Sequence, residues 1–522
     1  MKTHNPGTLF YLFVFFFAVY GLTCSVLNMN LFDVSIMRSE VLEAIFARFD
    51  LNVPAGSGVI GVDGRDYSWF GLGSVLLYLP FYALAKISAI PPILVLSTLN
   101  PIVSAATAAM VCYFCSSMGY TRRSSVYVSL FYGLATMACY YSKDPGDHSF
   151  ETFFILLSTL SMYKFIKSKQ TSRLLLSGLA LGIAGLIRPT SFMLTLPLML
   201  MLTVSSAKEN GLSRCYKFVV QCAAILFFSL LPFLCVFLWY NNYRFGSVFE
   251  SGYSLIASRA GVSLFSDTSL VTGLLGLLVS PGKGFFYYSP IALLFFVSFK
   301  SFWRKHLELG VCFLSTIVIY ILFFAKYLYW HGDWAWGPRF LFVLTPFLVI
   351  PIVDIFESKL WLHNNSARKA VLVLFLASLA IQTVSVSVNA YRYFMFIQTE
   401  KNVRFTVDKG DGAPPVKEPV IETYFNWRLS PILVQAGLLY RIMLKMFTAD
   451  NIAPFSSTEE ISGTNRLLLT NCLDFWWHHI YAMNGNWLIL LVVPFLILIA
   501  LIAAYKIKNN LHEHPVLTPA NY

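Results

Sequence analysis

Phe32-Asp33-Val34-Ser35-Ile36-Met37-Arg38-Ser39-Glu40-Val41-Leu42-Glu43-Ala44-Ile45-Phe46 follows directly on an apolar run from Leu9 to about Leu27. A run of that length crosses the hydrocarbon core of a bilayer, which takes about 20 residues. It delivers an acidic, arginine-containing segment straight to a membrane surface. Ionisable groups near hydrocarbon cost free energy and are kept where they line a wet cleft or do chemistry. From Glu40 onward, Val41, Leu42, Ile45, Phe46 and Phe49 alternate with Glu40, Glu43 and Arg48 at the spacing of an amphipathic helix lying in the membrane interface.

The rest of the chain repeats the first part of that pattern. Hydrophobic residues make up 57% of the sequence and charged residues 12%, and the mean hydropathy is +0.65. An ordinary soluble domain has about twice that charged fraction. Apolar runs separated by short polar stretches predict an all-α polytopic membrane protein. Met1-Lys2-Thr3-His4 before the first run resembles a signal peptide, but no small-residue cleavage site follows, so the run is read as a retained span. Basic clusters at Arg122-Arg123, Lys164/Lys167/Lys169/Arg173, Lys208/Arg214/Lys217, Arg304-Lys305, Lys359/Arg368-Lys369 and Lys506/Lys508 mark the inside loops. Their alternation fits about twelve spans with both ends inside. Most Asp and Glu then lie outside, in loops around 29–92, 141–150, 242–288, 329–338 and 393–485. The chain divides into a transmembrane core, 1–392, with its first outside loop 29–92, an outside segment 393–485, and a last span with an inside tail, 486–522.

The same distribution excludes some functions. The net charge of +12 is spread over many short loops rather than one face, so it is a topology signal and not a nucleic-acid surface. The nine cysteines are odd in number and sit mostly in apolar runs; only Cys472 falls in a large outside loop, so no disulfide framework is implied. Within the first loop, a turn-rich stretch from Pro54 to Ser68 leads into Trp69-Phe70-Gly71, and 69–90 is predicted as a second interfacial or re-entrant helix.

Candidate site residues gather outside. Asp33 follows the first span closely and is placed to act as general base for an attacking hydroxyl; its ordinary alternative is a helix cap. Glu40 is the next candidate acid, and Arg38 sits between the two. Tyr140-Tyr141-Ser142-Lys143-Asp144-Pro145-Gly146-Asp147-His148-Ser149-Phe150-Glu151 packs three carboxylates, a His and a Lys into one loop, suited to positioning a substrate or, given convergence, a metal. Arg188, Arg244, Lys283 and Arg339 each fall at an outside helix end, where a cation holds phosphate or snorkels to lipid headgroups. Arg188 fits snorkelling least, because it interrupts an apolar stretch from Leu174 to Met201. Glu250 and Tyr253 in the middle loop, and His331, Asp333 and Trp336 in Tyr329-Trp-His-Gly-Asp-Trp-Ala-Trp-Gly-Pro-Arg339, complete the substrate-binding candidates. Trp330, Trp334 and Trp336 have the aromatic faces to stack on sugars, or serve as an interfacial belt.

Taken together, these features resemble the GT-C glycosyltransferases, which include the protein O-mannosyltransferases and the lipid A aminoarabinose transferase. The resemblance rests on Asp33 after the first span, two juxtamembrane helices in the first loop, Asp63-Gly-Arg-Asp-Tyr-Ser-Trp-Phe-Gly-Leu-Gly-Ser with Leu79-Pro80, Gly185-Leu-Ile-Arg188-Pro189, Leu278-Val-Ser-Pro-Gly-Lys-Gly and Trp336-Gly-Pro-Arg339. It runs over roughly residues 8–355. It implies transfer of a sugar from a polyprenyl-phosphate donor, on the periplasmic side of a bacterial inner membrane, to a glycan such as O-antigen or lipopolysaccharide, a lipid or a protein. It assigns Asp33 to the family's first-loop catalytic carboxylate. Many members pair that Asp directly with Glu; Val34 stands there in this chain, and the base role is left between Asp33 and Glu40. No cofactor is required, and the acidic loops leave room for a divalent metal.

Two other classes fit the same architecture. A secondary transporter also has about twelve spans, but it keeps its ionisable residues near the midplane and its loops short. A membrane acyltransferase or lipid-linked polymer ligase would centre on a His, for which His148, His331 and His478 are the candidates. The concentration of acids and aromatics in long outside loops favours a glycosyltransferase.

Overall fold

The computed structural model describes residues 6–26, 28, 33–259, 261–266, 268–333, 335–400, 420–447 and 473–512. The N-terminal apolar run is the helix Pro6–Thr23, which packs against Leu99–Ser117 and against the last helix, Val492–His512, so the first and last spans are neighbours. Among the described residues, eight helical stretches are long and apolar enough to cross a membrane: Pro6–Thr23, Pro92–Ser117, Pro189–Glu209, Cys215–Phe245, Leu307–Lys326, Arg339–Phe356, Asn365–Ser387 and Trp487–Leu511. The protein is therefore an all-α, multi-pass membrane protein. Length and composition alone give fewer than the expected twelve spans. Leu72–Ile87, Thr171–Ile187, Leu270–Val279 and Pro431–Leu444 are apolar but shorter, and the 21-residue helix His148–Ser168 carries Glu151, Lys164 and Lys167.

The most enclosed span is the one that carries Arg339. Arg339–Phe356 is 94% buried, and it is a broken helix: a 3-10 turn at Arg339–Leu344, then Thr345–Val349, Ile350–Ile352 and Val353–Phe356. Pro346 and Pro351 remove N–H donors from the ladder, which explains the switching between helix types. Around it, Thr171–Ile187 packs against His148–Ser168 on one side and Leu212–Phe245 on the other. Gly178 makes the second approach close, since a Cβ there would overlap the Ser229 hydroxyl.

The first loop holds both expected surface helices. The first starts at Asp33 rather than at Glu40 and runs to Arg48; it buries Met37, Val41, Leu42 and Ala44 and leaves Phe46 and Phe49 exposed. The second, Leu72–Ile87, buries Val75, Tyr78, Tyr82 and Ala85 while Leu76, Leu84 and Ile87 face outward, as an interfacial helix requires. Between them the turn-rich stretch closes into a short hairpin, with Val59 opposite Tyr67 and Ile60 opposite Asp66. Gly71 and Gly73 bring the second helix onto the backbone of Leu186 and Ile187, immediately before Arg188; a Cβ on Gly73 would collide with the Ile187 nitrogen.

A buried polar hub ties Ser25, Asn28 and Asp474 to Lys143 and Asn389. Lys143 Nζ donates to Asp474 Oδ2 at 2.6 Å and to the Val386 carbonyl at 2.7 Å. Ser25 Oγ donates to Asp474 Oδ1 at 2.7 Å, and Asn389 Nδ2 donates to Asp474 Oδ1 at 3.1 Å and to Asn28 Oδ1 at 2.8 Å. Burial would raise the Asp474 carboxyl, but Lys143, His479 and the Ser25 hydroxyl outweigh it and hold it at about 2. Trp476 and Trp477 donate their indole N–H groups to the carbonyls of Gly21 and Leu22, closing the end of the first span. Of the outside segment 393–485, residues 401–419 and 448–472, including Cys472, lie outside the described residues.

Candidate active site

Arg188 sits where one apolar stretch becomes two elements. Thr171–Ile187 ends there, and Pro189 opens the 3-10 turn Pro189–Leu194 with its fixed φ. Arg188 Nη1 lies 3.1 Å from each ring nitrogen of His148, and Nε lies 3.4 Å from Glu151 Oε2. Ser191 Oγ donates to the other Glu151 oxygen at 3.0 Å. Glu151 and His148 are buried, while the Arg188 side chain keeps 19% of its surface exposed. The guanidinium is thus held from behind by a carboxylate and remains open in front.

The loop before His148 is held on several sides. Arg38, from the first-loop helix, pairs with the Asp147 carboxylate, donates from Nη1 to the Pro145 carbonyl at 2.8 Å and stacks 4.5 Å from the centre of the Tyr78 ring. Asn100 Nδ2 donates to the carbonyls of Asp144 and Gly146, and its own Oδ1 accepts from the Tyr78 hydroxyl at 2.7 Å. Burial pushes Asp144 up to about 6, against the Gly146 N–H and the charges of Arg339, Arg38 and Lys143.

Lys283 reaches into the loop 331–338 rather than toward solvent. Its ammonium donates to the carbonyls of Asp333 at 2.7 Å, Ala335 at 2.6 Å and Gly337 at 3.4 Å. Burial, with Arg339 adding and Asp333 opposing, pulls Lys283 down to about 7. Gly332, Asp333 and Gly337 all have positive φ, which curls the loop around the ammonium. Arg339 leaves that loop with 31% of its side chain exposed, 3.3 Å from Asp333 Oδ2. His331 Nδ1 accepts from the Asp333 N–H at 3.1 Å, and its ring stacks on Tyr424 at 4.9 Å; burial lowers it to about 4.

These elements converge. Tyr253 lies within electrostatic reach of Arg188, Asp147, Arg339 and Arg244. Tyr327 lies within reach of Tyr253, Arg339, Arg188 and Asp333. Electrostatic interactions therefore link Asp144, Asp147, His148, Arg188, Tyr253, Asp333 and Arg339 into one cluster, in which the Arg188 and Arg339 side chains keep 19% and 31% of their surface exposed. Other candidates stand elsewhere or are engaged. Arg244 is buried, with its guanidinium donating to the Ser68, Tyr240 and Asn241 oxygens and tying the first loop to Leu212–Phe245. Glu250 accepts from the Gly252 N–H and the Ser254 hydroxyl and shapes its own turn. Trp336 is 1% exposed, between Tyr140 and Tyr288, so its ring meets protein instead of a ligand. Trp330 is likewise buried, and Trp334 lies outside the described residues.

Asp33 is the first residue of its helix, and its side chain lies outside the described residues. Glu40, one face further along, accepts from Ser57 Oγ at 3.3 Å, while burial raises its carboxyl against that bond. Two carboxylates of the 140–151 loop take more specific places than the sequence showed: Glu151 lies behind Arg188, and Asp144 lies within electrostatic reach of Arg339. Glu151 in the first turn of an otherwise apolar helix was the available signal. Among the described residues, no group of three or more His, Cys, Asp and Glu converges as a metal-ligand set.

Residues 89–236 match the family described as dolichyl-phosphate-mannose-protein mannosyltransferase. No curated protein matches the sequence. Among solved structures, the apo oligosaccharyltransferase of Archaeoglobus fulgidus is similar at 11% identity and TM-score 0.48, over 87% of this chain and 62% of that one. The same protein in complex with zinc and sulfate is similar at 11% identity and TM-score 0.45, over 82% and 59%. ArnT from Cupriavidus metallidurans bound to undecaprenyl phosphate is similar at 12% identity and TM-score 0.43, over 96% of this chain and 75% of that one. The chain thus spans 59% to 62% of the length of the archaeal protein. The family match covers the loop 142–147, His148, Glu151 and Arg188, the part of the cluster that holds its first open guanidinium. Residues 89–236 are thus similar to that mannosyltransferase family, within a chain that is an all-α multi-pass membrane protein.

Proposed function

We propose that the protein is a membrane glycosyltransferase that moves a sugar from a polyprenyl-phosphate donor to an acceptor on the periplasmic side of a bacterial inner membrane. The observation that carries this reading is the convergence of Arg188 and Arg339, both partly exposed, on a cluster that also contains Asp144 and Asp147. Two partly exposed guanidinium groups in one cluster suit an anion with several acceptor oxygens, such as a phosphate.

In the proposed reaction an acceptor hydroxyl attacks the anomeric carbon, the bond from that carbon to the phosphate oxygen breaks, and the lipid phosphate leaves with the bonding pair. Arg188 and Arg339 stabilise the charge that develops on the departing phosphate. Asp33 takes the hydroxyl proton, with Glu40 as the second acid of the same helix. The Arg38–Asp147 pair anchors that helix to the loop 142–147, and Lys283 holds the loop from which Arg339 emerges. In this reading Tyr253, His148 and Asp333 contact the sugar and acceptor. The acceptor class proposed is a cell-surface glycan such as O-antigen or lipopolysaccharide, with a lipid or protein as the other forms.

The test is transfer by the purified, reconstituted chain supplied with polyprenyl-phosphate sugars. Arg188→Ala and Arg339→Ala should each lower kcat/KM by about 100-fold or more, the scale for removing one group that stabilises transition-state charge. Unchanged turnover in both variants would overturn the assignment.

A further inference from the structure

Leu294–Lys305 covers one of its faces and leaves the other open. Leu294, Phe295, Ser298 and Phe302 are buried, against Val353–Phe356 and Leu307–Lys326 among others. Phe296 and Val297 are 65% and 61% exposed. Along the open face runs a furrow of about 440 Å³, lined by Phe295, Phe296, Phe299 and Trp303 and bordered by Lys300 and Arg304. Its walls are ordered ring against ring: Phe295 stacks on Phe299 at 4.5 Å, Phe299 meets Trp303 edge-on at 5.7 Å, and Phe286 flanks Phe296 at 5.5 Å.

Among the described residues, the two cations have no ion-pair partner. Lys300 and Arg304 are four residues apart on one helix, a register in which like charges repel. The helix itself contains no acid. Its neighbour Lys305 bonds Asp354 at 2.7 Å, whereas Lys300 and Arg304 enter no ion pair among the described residues. This end of the helix belongs to the basic side of the molecule, with Arg122, Lys167 and Lys305 close in sequence to the inside ends of their helices. An apolar aromatic furrow ending in an unbalanced cation pair at a membrane surface matches a lipid that carries negative charge at its headgroup. A zwitterionic headgroup would bring its own ammonium toward the pair.

We propose that this furrow binds one anionic phospholipid of the cytoplasmic leaflet, with an acyl chain along Phe296, Phe299 and Trp303 and the headgroup phosphate between Lys300 and Arg304. The site is independent of the sugar-transfer reading, since none of its residues belongs to the outside cluster.

Native mass spectrometry of the full chain released from nanodiscs of equal phosphatidylglycerol and phosphatidylcholine tests it. The wild type should retain phosphatidylglycerol selectively. The double variant Lys300→Gln/Arg304→Gln should lose roughly thirtyfold in phosphatidylglycerol affinity, as removal of two surface cations implies. Phe296→Ser, which leaves both charges, should reduce retention as well. Equal retention of phosphatidylglycerol by the wild type and the double variant would overturn the proposal. So would equal retention of both lipids by the wild type. Both cations are exposed, and an unchanged melting temperature confirms that the variants are folded.

Discussion

Lys283 directs its charge inward, and that decides what its removal does. Lys283→Ala leaves the buried carbonyls of Ala335 and Gly337 without the ammonium donor and removes one donor from the part-buried Asp333 carbonyl, at a cost of about 1–3 kcal/mol for each buried group left unsatisfied. The expected outcome is a lower melting temperature and lost turnover, with part of the turnover restored by added ethylammonium, which fits the vacated ammonium position. No rescue at any amine concentration would contradict the clamp. Asp144 gives a pH-dependent signature. Its carboxyl is raised by burial to about 6, so between pH 4 and 6 the folded protein holds a proton that the unfolded chain has lost. Its contribution to stability is full below about pH 4 and is lost as pH rises through 6. Compared with Asp144→Asn, the wild type should lose up to about 3 kcal/mol of unfolding free energy across that window; parallel melting curves for the two would contradict it. At this scale the sequence was partly legible. Arg188 stood out because a charge interrupts an apolar run. The inward role of Lys283 did not, because its acceptors lie about 50 residues away and are backbone atoms with no residue signature. Trp336 was misleading for a similar reason, since an aromatic next to a turn reads the same whether its ring is open or, as here, enclosed by Tyr140 and Tyr288.

The two first-loop helices were readable from periodicity, because each must satisfy a lipid face and a protein face at once. The start at Asp33 was less so: Ile36 and Met37 extend the apolar stripe one turn earlier than the pattern from Glu40 alone suggested. The Val59–Tyr67 hairpin escaped notice because strands of two residues are too short to alternate. How these elements meet depended on contacts that sequence does not display. Leu72–Ile87 starts on the backbone of Ile187, one residue from Arg188, and only the absence of a side chain at Gly73 permits it. Gly73→Ala should therefore push the first loop away from the Arg188 turn. The expected outcome is a transfer rate reduced at least about tenfold with the melting temperature lowered by a few degrees, consistent with overpacking at about 1–3 kcal/mol. Wild-type rate and melting temperature in that variant would show that the contact yields without consequence.

For the whole molecule, hydropathy and the placement of basic residues were enough to give a multi-pass helical protein, while the number of spans was harder to read. The helix His148–Ser168 carries Glu151 at its cluster end and Lys164 and Lys167 at the other, and these charges lower its hydropathy in a composition test. The hub around Asp474 was also hidden: it joins Ser25, Lys143, Asn389 and Asp474, residues up to 449 positions apart. It holds the end of the first span against the loop that carries Asp144 and Asp147. The proposed reaction is transfer of a sugar from a lipid phosphate with Asp33 as the base. The most direct measurement is mass spectrometry of surface glycans, lipids and proteins from cells lacking the gene, complemented with wild type or with Asp33→Asn, alongside donor binding by each purified protein. The account predicts that one sugar mass disappears without the gene and returns with wild type. It stays absent with Asp33→Asn, which still binds the polyprenyl-phosphate sugar. Identical spectra with and without the gene, or full restoration by Asp33→Asn, would contradict it.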